Sequence, residues 1–416
     1  MKVALVLHIY QPPVQEESIV KQVATECYLP LIKLIKNRRI HRFTLNIPLS
    51  LLELMDRFGY QDWIADIKSL YDSDRIELTG SGAYHPLLTK LPQQLVEEQV
   101  SLNEYGLGYY FGSRQGFEGE PSIMIKNIQG FFPPELAVNN DLVDTLSDFG
   151  YKWFLSERTA LTNDVSSKDN VFEIKNKGIK IVCRDRYLSN MISFKRDLEM
   201  GDIFTYLNSK LDDSNPIVIA LDGEFFGHHF REGIYLLENL LDKIEGFGAS
   251  ISTVSDVVDE VEPRNIDGVV ESCWGASDEE FLRGLVYPFW IVKDNVLQSK
   301  LWKLQDIIIA NYLELPNNVS TTEFQTVPVW KNSEVSGIQD IDIQQSILKY
   351  ILIHKYLHSD KFWWSSKKDI LGRVLYNTSF VKSGLNTVTE MFNYYPNDDI
   401  KTLVLSKVSE IEDLLK

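Results

Sequence analysis

The chain has 416 residues, of which 44% are hydrophobic, with a formal net charge of −17 and a pI near 4.9. That is enough apolar material for a large core, and at about 150 residues per domain it suggests two or three domains, fewer if one is a barrel. The acidity argues against a nucleic-acid or anionic-membrane partner, which the average field would repel, and suits a neutral substrate; the 12% aromatic content could supply flat stacking faces.

At the N-terminus, "MKVALVLHIY" holds an apolar run of only five residues, broken by His8, with no small-residue cleavage site. It reads as a first strand rather than a signal peptide. No run of about 18 apolar residues occurs, so no transmembrane helix is expected. Cys27, Cys183 and Cys273 lie far apart and form no CxxC pair, which points to a reducing, cytoplasmic setting without disulfides. The sequons at Asn318 and Asn377 are then expected to stay unmodified.

Beyond 3–10, strands are expected at 42–49, 75–82, a short piece entering "GFFPPE", 152–157, 179–185, 217–224 and 249–256. Several are apolar on both faces, as in a parallel sheet covered on two sides. Helical periodicity fills the gaps, as in "PQQLVEEQVSLNEYGLGYY" and "NDLVDTLSDFG". Seven or eight such units fit a β/α barrel, with an open doubly wound sheet as the alternative. His8, Asn46, His85, Glu135, Asp185, Asp222 and Glu224 all fall at C-terminal strand ends, which in a barrel converge on one mouth. After "VEPRN" at 261–265 the pattern turns helical, through "DEEFLRGLVYPFWIVKDNVLQSKLWKLQDIIIANYLEL", "IDIQQSILKYILIHKYLHSD" and "DIKTLVLSKVSEIEDLLK". The expected division is a catalytic β/α unit at 1–262 and a helical domain at 263–416 that completes the active-site face.

Two stretches carry chemistry. In "GFFPPELAV", two prolines restrict the backbone before Glu135, as suits a side chain that must point in one direction. In "IVIALDGEFFGHHFREG", an apolar strand runs into Asp222 and Glu224, which two-residue spacing places on one side of an extended chain. Carboxylates crowded there repel, and at least one pKa should rise, as a general acid at neutral pH requires. Two opposed carboxylates are what glycosidic cleavage needs.

Together "HIYQPP", "IELTGSGAYHPLL", "GFFPPELAV", "LDGEFFGHH" and "SCWGASDEEFLRGLVYPFW" resemble the ordered motifs of family 57 glycoside hydrolases, over about residues 1–300. The resemblance implies an α/β fold with an incomplete (β/α)7 barrel followed by a helical region. It also implies a retaining action on α-glucans, hydrolytic or transglycosylating, of α-amylase or 4-α-glucanotransferase type, with an oligosaccharide substrate and no cofactor or metal. By motif position Glu135 matches the nucleophile and Asp222 the acid/base. His8, Gln11, His85, Phe132, Glu224, His229 and Trp274 match positions lining the sugar site. The chain departs from the pattern at Tyr10, where the first motif has a second histidine, and at Phe132, where some members have tryptophan.

The rival readings are a metal-dependent carbohydrate deacetylase and a catalytically silent glycan-binding protein. "HKYLH" puts His354 and His358 at i and i+4, as metal ligands would be on one helical face, but far from the strand-end residues. Of the adjacent His228 and His229, only one could join a common site. The rings of "KFWWSS" read as helix packing rather than sugar platforms.

Overall fold

The computed structural model describes residues 3–112, 128–161, 169–194, 200–210, 216–314, 328–331, 335–366, 377–395 and 397–416. The strands are β1 (Val3–His8), β2 (Phe43–Asn46), β3 (Ile76–Leu78), β4 (Gly130–Phe131), β5 (Trp153–Ser156), β6 (Val171–Ile174), β7 (Lys180–Cys183), β8 (Ile217–Asp222), β9 (Ile251–Ser252) and β10 (Arg264–Ile266). One sheet runs β3-β2-β1-β8 with β9 also on β1, and the other runs β10-β6-β7-β5-β4. Every pairing is parallel except β6 with β7.

Each expected strand is present, cut back at its C-terminal end where the chain leaves the ladder for functional loops. β6 and β10 were not expected from the sequence. β10 falls inside the stretch taken as a boundary, and the end of the expected 249–256 strand is a helix, Val254–Glu260, started by a Thr253/Asp256 capping box. The long helical run at 278–315 is also broken. Among its described residues only Asp278–Leu282 and Val296–Glu314 are helical, and between them Gly284 (φ 78) and Asp294 (φ 62) take left-handed backbone. Asn377 caps the helix Thr378–Phe392 through a bond from the Phe380 amide, while Asn318 lies outside the described residues.

Alternation along β1 sorts the core. Val3, Leu5 and Leu7 face helices on the outside, among them Leu29–Asn37 and Gly233–Gly246. Ala4 and Val6 face inward and join Val218, Ala220, Trp153, Leu155 and Val182 in a cluster shared by the two sheets. Among the described residues, backbone hydrogen bonds join the sheets at two places. Gly80 N donates to Gly130 O and Phe132 N to Gly80 O, both at 2.9 Å, and Asp185 N donates to Val218 O at 2.7 Å. A third cluster joins Leu49, Tyr84, Leu102 and Ala137 to the C-terminal helices Val296–Glu314, Ile341–Tyr356, Thr378–Phe392 and Asp398–Leu414. No helix among the described residues is long and apolar enough to cross a membrane.

Gly130 permits the pairing of β4 with β5, because a Cβ there would lie 1.9 Å from the ring of its register partner Trp153. Gly130→Ala is expected to destabilise the protein by about 1–3 kcal/mol or more through overpacking. Urea unfolding checks this, and an unchanged midpoint would contradict the close approach.

Candidate active site

Register sets the first level of the site. His8 at the end of β1 pairs with Asn46 on β2 and with Asp222 on β8, so three strand ends present polar side chains side by side. Asn46 lies 2.6 Å from His8 Nδ1 and donates to Thr79 Oγ1 at 2.9 Å, which fixes the imidazole plane. Phe132 stacks on His8 at 4.7 Å, His85 at 4.9 Å, and Tyr10 on His85 at 4.3 Å. Burial pushes His8 down to about 4 and His85 to about 3, so both rings are neutral at pH 7.

Glu135 lies just past β4, and its backbone is left-handed (φ 60, ψ 16), as is that of Leu136 (φ 45). The prolines therefore do not leave the glutamate extended; they hold the turn that lets it adopt a conformation costing a non-glycine residue about 1–2 kcal/mol. Strain recurs at His85 (φ 56). The Glu135 carboxyl accepts from Trp274 Nε1 at 2.8 Å on one oxygen and from Ser359 Oγ at 2.9 Å on the other, with His85 Nδ1 3.6 Å away. Burial and then the charge of Asp360 push its pKa up to about 8, against the two hydrogen bonds and with Asp222 adding to the rise.

Asp222 and Glu224 do not share one strand face, because β8 ends at Asp222 and Gly223–Phe225 is a 3-10 turn. Glu224 turns inward, accepting from Tyr28 OH at 2.5 Å and from the Tyr10 amide at 2.9 Å. Burial, followed by the charge of Asp222, raises it to about 8. Gln11 stands behind, donating to Tyr28 OH at 3.1 Å. Asp222 is the most accessible of these acids, and no hydrogen bond to its carboxyl is found among the described residues. The protein crowded around it raises its pKa to about 6, with Arg184 pulling it down and Asp360 adding to the rise.

Asp360, Ser359 and Arg184 were missed by sequence reasoning. Tyr10 OH donates to Asp360 Oδ2 at 2.7 Å, and His358 Nδ1 lies 3.6 Å from the same oxygen. Burial works to raise Asp360, but His358, His85 and Tyr10 outweigh it and hold the carboxyl below its ordinary range. Tyr10, the departure from the first motif, thus keeps a flat face on His85 while its hydroxyl reaches a carboxylate 350 positions away. The turn is braced by Lys361, 1% exposed, which donates to the carbonyls of Tyr356 at 2.6 Å and His358 at 2.8 Å. Ser359 N donates to His85 O at 3.0 Å, pinning the same turn to the strand ends. Arg184 donates to Glu157 Oε1 at 2.6 Å and to Ala220 O at 2.9 Å, and lies 5.4 Å from the Trp274 ring centre. Its sequence position, one residue past β7, was the available signal.

Other expected residues have different partners. Asp185 caps the helix Arg186–Phe194, accepting from Leu188 N and Tyr206 OH. His229 is exposed, its ring 5.0 Å from that of His228, which pairs with Glu26. His354 and His358 do not act together: the helix ends at Tyr356, and His354 contacts Glu98 and Gln99. The rings of "KFWWSS" pack against rings elsewhere in the helical region, with Phe362 stacked on Trp302 at 3.9 Å, Trp363 against Phe289 and Trp290, and Trp364 against Phe380.

The arrangement gathers Glu135, Asp222, Glu224 and Asp360 beside a stack of neutral rings, in four different hydrogen-bonding environments. Such groups titrate as a set. Both Glu135 oxygens accept hydrogen bonds, the pattern of a carboxylate able to act as nucleophile; Asp222 is unengaged and able to exchange a proton with a ligand.

A sequence model described as glycosyl hydrolase family 57 matches residues 6–271. The chain is 24% identical over 228 residues to an α-amylase of Pyrococcus horikoshii, covering 53% of this chain and 33% of that protein, so it spans well under two thirds of that relative. Among solved structures it is similar to a branching enzyme of the same type from Pyrococcus horikoshii, with TM-score 0.68, 14% identity, and 98% and 94% of the two chains covered. It is also similar to a 4-α-glucanotransferase from Thermococcus litoralis, with TM-score 0.63, 16% identity, and 95% and 58% covered. At these identities the structural likeness speaks for the α/β fold alone.

Two predictions follow from the electrostatics. Glu135 holds a proton in the folded state that the unfolded chain, at its usual 4.5, releases, so stability falls as pH rises from about 4.5 to about 8. Glu135→Gln should remove that slope, and its melting temperature should exceed wild type by more at pH 8 than at pH 5. Asp360 is depressed, so its contribution is present above its usual 3.8 and is lost as pH falls through the folded value. Tyr10→Phe should therefore cost about 1.5–3 kcal/mol at pH 7, measured by urea unfolding, and less at the acid end.

Proposed function

The chain belongs to glycosyl hydrolase family 57, and on that premise we propose that it is an α-glucan-active enzyme that cleaves α-glucosidic bonds with retention, as a hydrolase or a transglycosylase. We read the two sheets, joined at Gly80–Phe132 and at Asp185–Val218 around a shared interior, as an incomplete (β/α)7 barrel spanning 1–262. The helical domain, 263–416, supplies Ser359 and Asp360 to its active face. Its three cysteines are free and buried, which supports a reducing, cytoplasmic setting for this activity.

The observation that carries the reading is the pairing of an anchored Glu135 with an unengaged Asp222, each feeling nearby charge. Glu135 attacks the anomeric carbon as the C1–O bond breaks. The bonding pair goes to the leaving oxygen, which takes its proton from Asp222. Asp222 then removes a proton from water or from a second sugar hydroxyl, whose oxygen bonds to C1 and displaces Glu135. A substrate's partial positive charge at C1 favours the ionised glutamate, and its departing oxygen draws the proton to Asp222. Neutral His8 and His85 offer hydrogen-bonding nitrogens to sugar hydroxyls; His85 Nε2 is buried with no partner among the described residues. Trp274 and Tyr10 offer flat faces, Gln11 and Glu224 order the first-strand loop, and His229 extends the rim.

Incubation with maltooligosaccharides and branched α-glucans, with product analysis, tests this. Cleavage is expected to survive EDTA, and Glu135→Ala is expected to lower kcat by at least about a thousandfold without unfolding the protein. A chelator-sensitive activity would favour a deacetylase. Binding of glucan without any product would favour a silent glycan-binding protein.

A further inference from the structure

A cleft of about 670 Å³ opens beside the site, lined by Glu157, Arg158, Tyr187, Asn190, Phe194 and Asp278, among others. Its walls grow from the C-terminal ends of β5 and β7. These strands lie in the sheet order between β4, which leads to Glu135, and the Asp185–Val218 contact with β8, which ends at Asp222. The cleft is therefore on the same face as the acids. One buried side chain separates it from them: Arg184 donates to Glu157 Oε1 and to Asn190 Oδ1 in the lining, and to Ala220 O on β8.

The lining has a definite chemistry. Most of its charges are engaged within the protein: Arg186 pairs with Asp278 at 2.8 Å and Arg184 with Glu157, and the Arg158 guanidinium donates to the Asp169 carbonyl and lies 5.7 Å from the Phe172 ring centre. Tyr187 is 65% exposed and Phe194 38%, which leaves aromatic surface open to solvent. Around these rings stand an amide at Asn190 and the Thr159 hydroxyl, whose oxygen has no hydrogen-bond partner among the described residues. Flat apolar faces beside neutral hydrogen-bonding groups suit a neutral, hydroxyl-rich ligand, and the volume falls within the range of small-molecule sites.

We propose that this cleft binds the part of an α-glucan chain on the leaving-group side of the scissile bond, and the acceptor chain when transfer occurs, with Tyr187 as its stacking platform. The inference rests on the function proposed above, because Asp222 protonates the leaving oxygen and the cleft adjoins Asp222 through Arg184. It names a specificity-determining surface: chains long enough to reach Tyr187 are favoured over short ones.

The test compares kcat/KM for maltoheptaose and maltotriose in wild type, Tyr187→Ala and Tyr187→Phe, with thermal melting to confirm that each variant folds. Loss of one aromatic contact is expected to lower the maltoheptaose-to-maltotriose ratio about fivefold in Tyr187→Ala, with the ratio restored in Tyr187→Phe. Asp278→Ala, at an exposed position in the same lining, should lower the ratio in the same direction. A wild-type enzyme that is active on both sugars, with a ratio unmoved in Tyr187→Ala and Asp278→Ala, would overturn this inference and leave the function standing. Wild-type protein inactive on every α-glucan would overturn both.

Discussion

The pair of hydrogen bonds received by Glu135 is the constraint on which the rest of the site depends. One comes from Trp274 and the other from Ser359, so a carboxylate in the first half of the chain is oriented by residues that follow it by 139 and 224 positions. Because the backbone at Glu135 is strained, the side chain has little freedom to relax if either donor is lost. The direction of this carboxylate is thus a property of the whole fold, held where the two sheets, the 270s loop and the helical region come together.

Electrostatics explains why so many supporting groups are needed. Four carboxyl groups in one place cannot all be ionised cheaply away from water, and each is managed differently. Glu224 is buried and hydrogen-bonded to a tyrosine, Asp360 is held ionised by surrounding donors, Glu135 accepts on both oxygens, and Asp222 is tempered by Arg184. The imidazoles of His8 and His85 stay neutral in the same surroundings, so they contribute ring faces and hydrogen bonds rather than charge.

Much of this was legible in the sequence. Apolar runs ending in polar residues located the strand ends, and the restricted turn before Glu135 was visible in its two prolines. What periodicity could not show was long-range: Ser359 and Asp360 sit where a linking turn enters the short helix Asp360–Trp363, and nothing local to "HSDKFWW" says that it lies against His85. Arg184 and Asp185 are neighbours at one strand end, yet one tempers the acid and the other caps a helix. That difference is set by side-chain direction after the strand ends, which spacing does not encode. The uniform helical pattern at 278–315 misled because apolar residues in an irregular loop, such as Trp290, are buried as fully as those of a helix.

The tie between Ser359 and His85 also bears on biosynthesis. The ribosome releases the strands first, and domains tend to fold as they emerge. Here, though, a nascent chain that has already paired β1 through β8 still lacks the serine that orients Glu135, the aspartate bonded to Tyr10 and the lysine that braces them both. The full set of contacts would then form late in translation, when the final helices settle over strands made long before, and a polypeptide ending short of residue 359 would offer Glu135 the Trp274 bond without its Ser359 counterpart.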